Sequence, residues 1–175
     1  SFDDNGICNY CLDFDANKSF YRYNDKFPSK FYEIGNVLKS KGKNSKYDCI
    51  VGVSGGVDSC WVVAKAVEIG LQPLAVHMDN GWNSEIAQNN ISNLIRTLNV
   101  DLYTYVIDWE EYRELMQSFF DADVIDIELL YDNAAIGVLS KAARMFKINY
   151  ILSGMNLATE GVAVPENWKW NKLDA

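Results

Sequence analysis

Residues 48–59 constrain what this chain can fold into more than any other stretch. Asp48-Cys49-Ile50-Val51-Gly52-Val53 is an almost wholly apolar run of strand length, as expected of a strand buried on both faces. It passes without a spacer into Ser54-Gly55-Gly56-Val57-Asp58-Ser59, and a strongly apolar helical segment follows from about Val57 to Ile69. Two adjacent glycines permit a sharp reversal that side chains would obstruct. Strand, tight turn and helix make the first part of a strand–helix–strand unit, which needs a crossover of this length to bring the next strand in parallel.

The remainder keeps that rhythm. Gly70 stands where the helix end needs a residue free to adopt positive φ. Pro73–Met78 is a second apolar run, and Ala87, Ile91, Leu94, Ile95 and Leu98 recur at helical spacing. Leu102–Ile107 predicts a third strand, and Trp109, Tyr112, Met116, Phe119 and Phe120 mark another helix. A longer helix is expected from about Asn133 to Lys147, then a fourth strand over Tyr150–Ser153. This alternation predicts an α/β fold, a doubly wound and mostly parallel sheet with helices on both faces. Residues 1–28 show no core pattern and are expected to be an irregular segment closing at Pro28. A short helix is expected over Lys30–Lys41, and residues 29–175 would form the main domain.

Composition narrows the function. With 49% hydrophobic and 23% charged residues over 175 positions, the chain can build a real core. No apolar run approaches the roughly 20 residues that span a bilayer. Ser1-Phe2-Asp3-Asp4 has neither the basic nor the apolar part of a secretory leader, so a cytoplasmic location without membrane contact is expected. A net charge of −8 disfavours nucleic acid, whose binding rests on neutralising phosphates. Lys30, Lys39, Lys41, Lys43 and Lys46 form the basic cluster, read here as a solvated helix face and loop.

The four cysteines are too few and too unevenly placed for a disulfide framework. Cys8 and Cys11 have the knuckle spacing of a structural zinc site but supply two of the four ligands zinc needs. Cys49 and Cys60 read as small buried hydrophobes.

Ligands of open parallel sheets bind beyond the carboxyl ends of the strands, where the strand order reverses. A loop at that position made of Ser54, Gly55, Gly56, Val57, Asp58 and Ser59 offers backbone amides, two hydroxyls and the positive end of a helix to a phosphate. Asp58 is an odd neighbour for an anion unless Mg²⁺ lies between them. The Gly-x-x-x-x-Gly-Lys-Ser/Thr and Gly-x-Gly-x-x-Gly patterns are absent. The hexapeptide resembles the PP-loop, Ser-Gly-Gly-x-Asp-Ser, of the ATP pyrophosphatases. That resemblance implies an adenine nucleotide alpha hydrolase-like fold and a domain, residues 29–175, that binds ATP. It also implies a reaction in which a substrate oxygen attacks the α-phosphate of ATP and pyrophosphate leaves. A second nucleophile then displaces AMP. Asp58 and Ser59 would stand at the catalytic positions.

Other stretches extend the likeness: Gly6-Ile7-Cys8-Asn9-Tyr10-Cys11, Met78-Asp79-Asn80-Gly81-Trp82-Asn83, Ser153-Gly154-Met155-Asn156, Glu160-Gly161 and Asn167-Trp168-Lys169-Trp170. Together they resemble the N-acetyl sugar amidotransferase family of bacterial surface-glycan biosynthesis. The family implies that the acetamido oxygen of an N-acetylated sugar is adenylated and that ammonia completes an acetamidino group. By this resemblance Met78 and Asp79 receive adenine and ribose, and Gly154 allows close backbone approach near the nucleotide. Glu160 joins Asp58 as a magnesium carboxylate, and Trp168 and Lys169 contact substrate. Asp79 has the alternative of serving as a helix N-cap, and Glu160 of being a surface acid. An upstream cysteine pair would complete zinc binding by Cys8 and Cys11.

The ammonia source follows from the residues. A Cys-His-Glu glutaminase needs a histidine, and the one present, His77, lies inside an apolar strand and reads as structural. An N-terminal nucleophile glutaminase needs a leading cysteine, and this chain starts with Ser1. A separate glutaminase partner is therefore expected. Two other readings remain at this stage: a PP-loop tRNA-modifying enzyme of the thiolase type, contacting RNA through the lysine cluster, and a non-catalytic ATP-binding module.

Overall fold

The computed structural model describes residues 1–21, 27–42, 45–124 and 126–155. The chain order is α1 (Asn9–Tyr21), α2 (Phe27–Gly42), β1 (Cys49–Gly52), α3 (Val57–Glu68), β2 (Pro73–Asp79), α4 (Glu85–Leu98), β3 (Asp101–Val106), α5 (Trp109–Asp121), α6 (Glu128–Phe146) and β4 (Ile151–Leu152). The four strands form one sheet in the order β3-β2-β1-β4, and each neighbouring pair is parallel. The chain therefore winds outward from β1 through β2 to β3, then returns past β1 to place β4 on its other side. The reversal lies between β1 and β4, as a doubly wound sheet requires.

Side-chain alternation along the strands builds two cores. Ile50, Leu74, Val76 and Met78 pack with Val138, Ala142 and Ile148 under α6. Val51, Val53 and Ala75 pack on the opposite face with Val63 of α3 and Ile91 of α4. Ile50, Val51 and Leu74 are essentially fully enclosed, each contributing about 1.5–3 kcal/mol of hydrophobic stabilisation. A third cluster joins Leu38 of α2 to Cys49, Ala66 and Leu71, where burial pushes the Cys49 thiol up to about 12. Cys60 is half-buried, and desolvation raises its thiol too.

Helix ends follow from local chemistry. Gly70, at φ +77°, lets the Gly70 N–H donate to Val67 and the Leu71 N–H to Ala66, the paired pattern that closes helices on glycine. α6 begins about five residues ahead of the expected Asn133, because its start carries no signal: the cap position is Ile127, which offers no side-chain bond.

Part of the N-terminal expectation is corrected. The stretch read as irregular contains α1, and α2 starts at Phe27 with Pro28 in its first turn, where a missing N–H costs nothing. α1 escaped notice because its sequence carries no apolar stripe at helical spacing, and Tyr10, Leu12 and Phe14 are all exposed.

Lysines occupy the amino ends of the strands. Lys46 Nζ lies 2.7 Å from Asp101 Oδ2 and the Tyr47 hydroxyl donates to the same oxygen at 2.7 Å, which holds the Asp101 carboxyl below the usual range. Lys41 Nζ sits 5.7 Å from the Tyr150 ring centroid. Lys43 lies outside the described residues. No helix among the described residues is long and apolar enough to cross a membrane.

Candidate functional site

Val53 prolongs the β1–β2 ladder by one bond, donating to the Val76 carbonyl at 2.8 Å, and the chain then turns at the sheet's carboxyl rim. Gly55 takes φ +82°. A β-carbon there would stand 2.4 Å from the Ala87 carbonyl oxygen and 2.7 Å from its Cα, so glycine is required twice, by conformation and by space. Asn90 Nδ2 donates to the Gly55 carbonyl at 3.0 Å. The amino end of α4 thus holds the turn from the side.

Gly56 caps α3 without a side-chain hydrogen bond. The helices that directly follow β2 and β3 are closed: Ser84 Oγ accepts from Ala87 N at 3.2 Å, and Asp108 Oδ1 from Glu111 N at 3.0 Å. The amides of Val57, Asp58 and Ser59 belong to the first turn, where no intrahelical acceptor exists, and the first such bond is Cys60 N to Gly56 O. The α3 terminus therefore offers uncapped N–H groups with the helix dipole behind them.

The serines shape the same turn. Ser59 Oγ donates to the Gly56 carbonyl at 3.2 Å, accepts from Ser54 N at 3.3 Å and lies 3.4 Å from Ser54 Oγ. Ser54 Oγ accepts from Gly56 N at 3.4 Å. All are long contacts, at the weak end of the hydrogen-bond range, which an anionic oxygen can replace. The Asp58 side chain is exposed in the first turn, and Val57 contributes its amide while its side chain is 78% exposed.

Gly154, just past β4, meets this turn directly. A β-carbon on it would lie 2.9 Å from Ser59 N and 3.0 Å from the Asp58 carbonyl carbon. The loops after β1 and β4 are thereby joined across the reversal point, and the close backbone approach expected of Gly154 is seen against α3.

The β2 end is arranged differently from expectation. Asp79 Oδ1 accepts from Gly81 N and from Asn83 Nδ2, both at 3.0 Å, so this carboxylate shapes its own loop on the rim. It is not a helix N-cap, a role Ser84 fills. The Met78 side chain is buried in the α6-side core. Alternation along β2 sends it to the α6 face of the sheet, which leaves its backbone as the part nearest the rim. Trp82 and Trp109 lie beside this loop with ring centroids 5.8 Å apart.

Glu160, Trp168 and Lys169 lie outside the described residues. Cys8 and Cys11 lie together at the start of α1: their sulfurs are 3.3 Å apart, and Cys11 N donates to Cys8 Sγ at 3.3 Å. Those bonds from Cys11 lower the Cys8 thiol, and the Cys8 sulfur raises that of Cys11. Among the described residues no three metal-binding side chains cluster. His77 is buried with Nδ1 2.8 Å from the Val53 carbonyl, which anchors one side of its ring to the core.

Sequence reasoning missed Ala87 and Asn90. Their spacing of three puts them on one helical face, but nothing in the sequence says that this face meets the turn after β1.

A parallel α/β sheet with a glycine-rich turn into an uncapped helix beside its reversal point is the PP-loop type of fold. Solved structures agree. An NMN synthetase from Francisella tularensis matches with a TM-score of 0.55 at 20% identity, over 78% of this chain and 56% of that one. A glutamine-dependent NAD+ synthetase from Acinetobacter baumannii, in complex with adenosine diphosphate, matches at 0.58 and 22%, over 74% and 26%. An NH3-dependent NAD synthetase from Campylobacter jejuni, in complex with the nitrate ion, matches at 0.55 and 16%, over 74% and 57%. This chain spans less than two thirds of each. No protein-family model and no curated protein matches the sequence.

Proposed function

We propose that this chain is the ATP-binding part of a cytoplasmic amidotransferase of the AMP-forming type. The observation that carries the reading is the uncapped α3 terminus at the sheet's reversal point, opened by Ser54-Gly55-Gly56-Val57-Asp58-Ser59 and flanked by Gly154. The amides of residues 57–59 and the hydroxyls of Ser54 and Ser59 fit the phosphates of ATP, with pyrophosphate stabilised as it departs. Asp58 fits Mg²⁺, with Glu160 as a second carboxylate, and the cation would neutralise the leaving phosphates. Asp79 and the backbone of Met78 would border the nucleoside.

The substrate follows from the resemblance to the N-acetyl sugar amidotransferases. The acetamido oxygen attacks the α-phosphorus and the bond to pyrophosphate breaks. Ammonia then adds to the imidate carbon, and AMP leaves with the former amide oxygen, giving an acetamidino group. Trp168 and Lys169 would contact the sugar. Ammonia would come from a separate glutaminase, as the family resemblance implies; Nδ1 of His77, the one histidine in this sequence, lies against the Val53 carbonyl. Two of the similar structures are by name glutamine-dependent and NH3-dependent synthetases, which supports ammonia as the second nucleophile. Cys8 and Cys11 would hold zinc once two further ligands join them.

The position of the lysines disfavours the tRNA reading, since Lys41 and Lys46 are engaged at the opposite edge of the sheet. Pyrophosphate release tests the proposal, using the enzyme with its glutaminase partner, ATP and an acetamido sugar nucleotide. Release is expected, with near-complete loss on Asp58→Ala. Undiminished release by Asp58→Ala would remove Asp58 from the mechanism.

A further inference from the structure

A groove of about 320 Å³ lies between α4 and the face of β2 and β3. It is separate from the anion-binding turn, which meets α4 through Ala87 and Asn90. One wall is a polar stripe on α4, Gln88, Ser92 and Arg96, and the other carries His77 and Thr104, which pair across β2 and β3. Spacings of four residues put the three α4 side chains in one row, and the helical rise makes that row about 12 Å long. Asp79 borders the groove at its rim end, and the isoleucines of α4 give it an apolar floor.

His77 decides the chemistry. The residue is 7% exposed, and its Nδ1 lies 2.8 Å from the Val53 carbonyl. A carbonyl only accepts, so Nδ1 carries the proton, and Nε2 of the neutral ring is left as an acceptor. No protein group among the described residues bonds it. Every fully buried side-chain nitrogen and oxygen among those residues has a partner, so Nε2 is open to the space the ring lines, which is this groove. A largely buried acceptor facing a polar groove is matched by a ligand hydroxyl. Ser92, Thr104 and Gln88 extend the same capacity to further hydroxyls. Arg96, with no ion pair among the described residues, stands at the far end as a site for an anionic group.

We propose that this groove binds the acceptor: a sugar ring whose hydroxyls meet His77, Ser92 and Thr104 and whose anionic substituent meets Arg96. The assignment rests on the amidotransferase reading and adds the acceptor's position and charge to it. The arrangement puts the anion about 12 Å down α4 from the rim, away from the phosphates of ATP, and leaves the ring's other end beside Asp79. A uronate carboxylate and a sugar-linked diphosphate share the required chemistry.

Amide chemical-shift titrations of the full chain with N-acetylglucosamine, glucuronate and UDP-N-acetylglucosamine, and separately with an ATP analogue and Mg²⁺, test this. Shifts at Ser92, Arg96 and Thr104 are expected with an anionic probe. Arg96→Gln should weaken that probe roughly tenfold, an energy of about 1.4 kcal/mol, and leave the neutral sugar unaffected. Thr104→Val, at an exposed position, should weaken all sugar probes that bind. Glucuronate binding identifies the carboxylate; binding by the UDP-sugar alone identifies the diphosphate. The groove assignment falls if no sugar probe shifts these residues, or if Arg96→Gln binds the anionic probe as tightly as the parent. Shifts at 54–59 with the ATP analogue report on the nucleotide reading independently, so loss of one set with retention of the other shows which proposal failed.

Discussion

Gly154 lies against Ser59 so closely that a β-carbon would be 2.9 Å from the Ser59 backbone nitrogen. The neighbours are backbone atoms at the start of α3, so no side chain can swing aside to make room. The loop after β4 is therefore seated on the turn whose amides we propose to receive ATP, and the reversal point of the sheet becomes one connected surface.

Gly154→Ala is expected to displace one loop from the other, at a cost of about 1–3 kcal/mol for overpacking. Thermal unfolding should register that loss, and ATP-analogue affinity should fall with it, measured by titration calorimetry. Unchanged stability and affinity would mean that the two loops separate freely.

Asn90→Ala removes the bond that fixes the Gly55 carbonyl. A hydrogen bond of this kind contributes about 0.5–1.5 kcal/mol, so the KM for ATP should rise roughly twofold to tenfold. The substitution is on an exposed helix position, and the midpoint of unfolding should move little. Steady-state kinetics at varied ATP check this. A loss confined to kcat would point to a role in chemistry rather than in holding the turn.

The Asp101 carboxyl gives a pH dependence with a definite sign. Lys46 and Tyr47 lower it in the folded state, so its contribution to stability is present above its unfolded value, about 3.9. That contribution is lost as pH falls through the lower folded value. Asp101→Asn should therefore be less stable than the parent at pH 7, with the two curves converging as pH falls below about 3.9. Thermal melts from pH 7 to pH 2 measure it, and added salt should shrink the gap because the pair is exposed. A gap that persists undiminished at the acid end would rule out this ionisation as its source.

Much of the fold was legible because buried strands and amphipathic helices leave strong patterns. Ile50 and Val51 announce β1, and Ile91, Leu94 and Ile95 announce α4. The turn at 54–59 was legible because glycines and a helix start have little other use in that sequence. Contacts from distant segments were not. Asn90 looks like any polar helix residue until α4 is laid beside Gly55. Met78 looks like a rim residue until the pleat of β2 turns it into the α6-side core. α1 left no trace because its apolar residues do not recur at helical spacing. His77 was legible as structural through its apolar strand, but the open side of its ring depends on the gap between α4 and β3, which one sequence does not encode locally.

The central claim is that the uncapped amides at the start of α3 receive the phosphates of ATP. Crystals grown with Mg²⁺ and α,β-methylene-ATP, whose scissile bond cannot break, test it most directly. The account predicts the β- and γ-phosphates within about 3 Å of the amides of residues 57–59, with Asp58 on the cation. Nucleotide bound elsewhere, or a turn after β1 that remains closed on its own serines at saturating nucleotide, would contradict it.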